Sequence, residues 1–102
     1  MARLIDILSA NETVDAHNVR AWSGVAVDEG VGLITIVEVS DASGRTLARF
    51  EEFLDAVHRN DHSWQRDDAA AVRQLQERAM ERARAAIAMG DLESLNGHRF
   101  DV

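Results

Sequence analysis

The sequence predicts an α+β domain in which a two- to three-stranded antiparallel sheet packs against helices, in the order α-β-β-(β)-α-α. Three observations predict it. Alternating and then continuous apolar positions run across residues 19–40, turn residues stand at 28–30 and 41–44, and a long apolar stripe of helical period starts near residue 67. Strands grouped before helices make a layered α+β arrangement.

Each element follows from its residues. Ala2 to about Ala10 places Leu4, Ile5 and Leu8 on one helical face and reads as a short helix, with an edge strand as the competing reading. Asn11 to Asn18 is polar and reads as a connection. From Val19 to Val27 the odd positions are Val19, Ala21, Ser23, Val25 and Val27, a strand leading into an Asp28-Glu29-Gly30 turn. Val31 to Ser40 is apolar or β-branched at most positions, as in a central strand covered on both faces over Leu33–Val37. Asp41-Ala42-Ser43-Gly44 is a second turn, and Arg45 to Phe50 is favoured as a third strand.

Glu51 to about Arg59 is expected to be helical, with Phe50, Phe53, Leu54 and Val57 at core spacing. Acidic residues at its start and His58 and Arg59 at its end match the helix dipole. The long helix is expected over about 67–89, ended by Gly90, with Val72, Leu75, Ala79, Met80, Ala83, Ala86 and Ile87 as its stripe. Such an alanine-rich stripe buries little area per turn, so the helix either lies flat on the sheet or pairs with its own copy. The tail is expected to make a turn around Leu92 and Leu95 and then an extended end carrying Phe100.

The 102 residues make one domain, 1–102, with 46% apolar and 28% charged residues, which disfavours disorder. Without cysteine there is no disulfide, thiolate metal site or thiol nucleophile. The apolar start is short and broken by Asp6, and no stretch reaches the roughly 18–20 apolar residues of a membrane span. A cytoplasmic protein is expected. The net charge of −7 disfavours direct nucleic-acid binding and suits a basic partner. The charge is uneven: residues 1–60 hold ten Asp and Glu against five Arg.

No constellation reads as a catalytic site. No serine lies in a nucleophile elbow or a Ser-x-x-Lys pair, and the absence of lysine excludes Schiff-base chemistry. Gly24, Gly30 and Gly32 span a hairpin, so they form no dinucleotide loop. No enzyme activity, cofactor or small-molecule substrate is expected. Asp55, His58 and His62, at i, i+3 and i+7, would share a face if the helix ran through residue 62. The C-capping residues His58 to Asn60 argue that it stops, so no metal site is expected.

The residues singled out for partner binding are Asp28, Glu29, Asp41, Glu51, Glu52, Asp55 and Trp64. The carboxylates are read as a negative surface that occupies a basic, nucleic-acid-binding groove, against the plainer reading that they keep a small domain soluble. Trp64, in a polar loop, closes the end of the core or anchors a partner; Trp22 either packs under a helix or serves as such an anchor. Arg73, Arg78, Arg82 and Arg84 line a polar helix face of mixed pairs, or form a ridge for an anionic partner.

In size, charge and lack of motifs the chain resembles phage-encoded inhibitors of host defence, anti-CRISPR proteins among them, and equally antitoxins. That likeness carries no residue across. It implies a non-enzymatic inhibitor acting in the host cytoplasm. The alternative is a homodimeric accessory subunit assembling through the alanine-rich long helix.

Overall fold

A computed structural model describes residues 4–26, 32–55 and 69–101. Their elements run β1 (Leu4–Val14), β2 (His17–Ala26), β3 (Gly32–Ser40), β4 (Thr46–Asp55), α1 (Ala69–Met89) and β5 (Arg99–Asp101). The expected two- to three-stranded sheet with several helices is corrected to one five-stranded mixed sheet with one helix among the described residues. Strand order follows chain order, antiparallel from β1 to β4, with β5 parallel to β4. Parallel neighbours need a long crossover, and α1 supplies it.

Two segments expected to be helical are strands over their described residues, 4–10 and 51–55; residues 56–59 of the second lie outside the described residues. Leu4, Ile5 and Leu8 belong to β1, which pairs along its length with β2; a bulge between Ile5 and Leu8 shifts its register. The polar connection expected over 11–18 is instead the tip of this hairpin. Asp15 (φ 47°) and Ala16 (φ 62°) are both left-handed, as a two-residue turn between twisted strands requires, and no glycine marks it. Residues 51–55 continue β4, not a helix, because Ala48, Phe50, Glu52 and Leu54 alternate onto the α1 side while Glu51 and Phe53 face away.

The second turn forms as expected. Asp41 Oδ1 accepts from the Ser43 hydroxyl (2.6 Å) and from the Ser43 and Arg45 amides, and Gly44 takes φ 92°. These donors, the Ser43 hydroxyl foremost, hold the Asp41 carboxyl below its ordinary value. The long helix is also as expected, its described span starting at Ala69. Gly90 (φ 68°) ends it with a Schellman pair, Gly90 N–H to Ile87 C=O and Asp91 N–H to Ala86 C=O.

α1 lies flat on the sheet. Ala79 and Ala83 are fully buried against Val19, Ala21, Val37, Val39 and Phe50, so small side chains permit close approach. The stripe is thereby spent inside the molecule and is not available as a dimer seam. A smaller cluster, Leu33, Val72 and Leu75, packs with Leu8 and Leu54 towards the other end.

At the free side of β1, Arg84 grips Glu12 with two hydrogen bonds of 2.7 and 2.9 Å and also reaches Glu77. The Arg84 hydrogen bonds hold the Glu12 carboxyl below its ordinary value of 4.5. A depressed carboxylate contributes stability that is present above 4.5 and is lost as pH falls through the lower folded value. Glu12→Gln is therefore expected to flatten the acid limb of a stability–pH curve below about 4.5, as read by urea melts. A curve identical to that of the parent refutes this role.

Candidate partner-binding surface

Five strands in strict alternation give the sheet two chemically different faces. On the α1 side one cross-strand row is polar: Ser23, Thr35 and Glu52 stand side by side on β2, β3 and β4, between Leu8 and Phe100. Ser23 and Thr35 are fully buried and share a 2.8 Å hydroxyl hydrogen bond. Gln76 closes the row from α1, its Nε2 donating to the Leu8 carbonyl at 2.9 Å.

Glu52 has no exposed side-chain surface. Its Oε2 accepts from Arg82 Nε at 3.3 Å; its Oε1 has no hydrogen-bond donor and lies 3.7 Å from Arg78 Nε. Arg82 in turn stacks on Phe100, 3.9 Å from the ring centroid, so the β5 aromatic ring positions the guanidinium. Within the row the Ser23 and Thr35 hydroxyls bond to each other, and the Glu52 carboxylate beside Thr35 is engaged by Arg82. The row is an internal polar layer.

The opposite face carries a different set. Trp22, Ile36 and Phe53, all half-buried, cluster on β2, β3 and β4 around the buried Ile34. Charges border them in alternating register: Arg20, Glu38 and Arg49 in one row, and Glu51 and Arg99 at the end of the Trp22–Ile36 row. Arg20 lies 5.5 Å from the Trp22 ring and Arg99 lies 4.2 Å from Phe53. Gly32 is required here, because a β-carbon would come within 2.6 Å of the Phe53 ring and 2.7 Å of the Leu54 carbonyl. None of the described elements packs over this face; α1 is on the other side.

The sequence-predicted site residues fall in several places. Glu51 is on this outer face and Glu52 on the buried one, because adjacent strand residues point oppositely. Asp41 is occupied within its own turn. Asp55 ends β4, so the helix that was to align it with His58 and His62 is absent at its first member. Asp28, Glu29, Trp64, His58 and His62 lie outside the described residues. Among the described residues, no group of three His, Cys, Asp or Glu is placed to hold a metal. No described helix is long and apolar enough to cross a membrane.

The residues missed from sequence are Arg20, Ile36, Phe53 and Arg99 as neighbours of Trp22. Their signal was present, since period-2 alternation puts 20 and 22 on one face, but Phe53 was hidden by the helical reading of 51–59. At the end of the sheet that holds the two turns, His17, Leu47, Ile87, Leu92, Asp91 and Glu93 line an open cleft of about 490 Å³. Compared with protein-family models, curated proteins and solved structures, the chain shows no significant match in any of the three.

Proposed function

We propose that the protein is a protein-binding domain, without catalysis of its own, that engages its partner through the sheet face turned away from α1. The observation that carries this reading is the Trp22–Ile36–Phe53 cluster, bordered by Arg20, Glu38, Arg49, Glu51 and Arg99, on a face that α1 leaves uncovered. Tryptophan and arginine are among the residues that most often anchor interfaces, and phenylalanine is enriched in them, with charges at the rim supplying register. A photo-crosslinker placed at Ile36 is expected to capture the partner, and one at Gln74 on the exposed side of α1 is not. Trp22→Ala is expected to weaken the complex by roughly 30-fold, about 2 kcal/mol. Equal capture from both sites, or full affinity in the Trp22→Ala protein, refutes this surface.

A second reading has its own support. Asp91 and Glu93 line the cleft at the turn end, with Asp15 and Asp41 in the two hairpin turns of the same end of the sheet, where α1 presents its negative pole with no basic residue in its last turn. That end suits a basic partner of the nucleic-acid-binding kind. It is favoured over the sheet face if charge reversal at Asp91 and Glu93, and not Trp22→Ala, abolishes a salt-sensitive complex.

A further inference from the structure

The two edges of the sheet are finished differently. Beyond β4 the chain closes the edge with β5 and with residues 96–98. Gly97 N–H donates to the Arg49 carbonyl at 2.7 Å, Asn96 Oδ1 accepts from the Arg49 amide, and the His98 carbonyl accepts from the Glu51 amide. Beyond β1 none of the described residues pairs with the 11-residue strand. A long edge is normally blunted by proline, by outward charge or by a bulge. Here the bulge lies at Ile5/Leu8, and residues 8–14 hold no proline and one charge, Glu12, which Arg84 neutralises.

The hairpin turn sets which backbone groups are free. A two-residue turn closes on a hydrogen-bonded pair, Val14 with His17, and bonded pairs then alternate along the strands. Thr13, Asn11 and Ser9 are thus the residues whose N–H and C=O groups point away from β2. Their side chains are exposed and uncharged.

We propose that this edge is a self-pairing interface, occupied by β1 of a second copy in antiparallel register about a two-fold axis at Asn11. The choice of a second copy rests on complementarity. With Asn11 opposite its own mate, Ser9 faces Thr13 and Leu8 faces Val14, so these pairs match polar to polar and apolar to apolar, while Glu12, already held by Arg84, faces the small Ala10. All three free residues then fall at hydrogen-bonding positions, giving about six main-chain hydrogen bonds. Moving the register by two residues sets Glu12 against Glu12 in one direction and against Leu8 in the other, both unfavourable. The two-fold axis stands perpendicular to the joined sheet. Both α1 helices therefore lie on one side, and both Trp22 faces form one surface on the other.

The test uses the full chain. Sedimentation is expected to give twice the mass of one 11.3 kDa chain, with slow amide exchange at Ser9, Asn11 and Thr13 that quickens on dilution. Asn11→Lys and Asn11→Glu each set like charges face to face on an exposed position, so each protein is expected to remain folded by circular dichroism. Each is expected to dimerise at least roughly tenfold more weakly, and mixing the two to restore the dimer. A monomer at all concentrations with fast exchange at these amides overturns the proposal. So does a dimer indifferent to both substitutions, because it assembles elsewhere.

Discussion

Replacing Arg82 with methionine is expected to destabilise the protein by about 3 kcal/mol in urea melts, whereas Glu52→Leu should cost far less or stabilise it. The asymmetry follows from exposure. Glu52 has no solvent contact, while the Arg82 side chain is 34% exposed and can turn outward once its partner is gone. Removing the arginine strands a buried carboxylate with only Arg78, 3.7 Å away and itself mostly exposed, to offset its lost hydration. Removing the carboxylate leaves an apolar side chain between Phe50 and Leu54 on the covered face, which extends the core. Equal losses in both proteins would show that the pair, and not the desolvated carboxylate, governs stability here.

Phe50→Ala is expected to cost about 4 kcal/mol, within the range for deleting a buried phenylalanine ring. Phe50 is 1% exposed and lies under α1 in the larger cluster. Phe100 meets it edge-on, with centroids 5.9 Å apart and planes at 80°. Since Phe100 also carries Arg82, losing the Phe50 ring should release β5 and loosen the Arg82–Glu52 contact. The signature would be accelerated amide exchange at residues 99–101 under conditions where β2 and β3 stay protected. A uniform increase across the sheet would contradict the link.

The parts of the fold legible in the sequence were those whose periodicity had one interpretation. The strand at Gly32–Ser40, the alternation of β2, the Asp41–Gly44 turn and the α1 stripe with its Gly90 stop all formed where expected. The cover expected on both faces over Leu33–Val37 is complete only as far as Thr35, since Ile36 is half-buried. The failures share a cause. In β1 the spacing of Leu4, Ile5 and Leu8 fits a helix as well as a bulged strand, and the bulge itself breaks the alternation. In β4 the residue on the inward face between Phe50 and Leu54 is Glu52, so a charge stands where the pattern needs an apolar side chain. The first hairpin turn uses Asp15 and Ala16, and alanine gives no hint of a left-handed conformation. Of the candidate surface, Trp22 was legible as a possible anchor. Its neighbours came from strand register, which a single chain's composition does not encode.

The row formed by Ser23, Thr35, Glu52 and Gln76 also has a bearing on how the molecule comes apart. It separates the Leu33–Val72–Leu75 cluster from the larger one, and hydroxyl and carboxylate groups transmit little hydrophobic cohesion between them. The small cluster and the first turns of α1 then form a weaker cooperative unit than the rest. The protein should open along this internal fault line, freeing the amino-terminal end of α1 while the Ala79–Ile87 half stays seated.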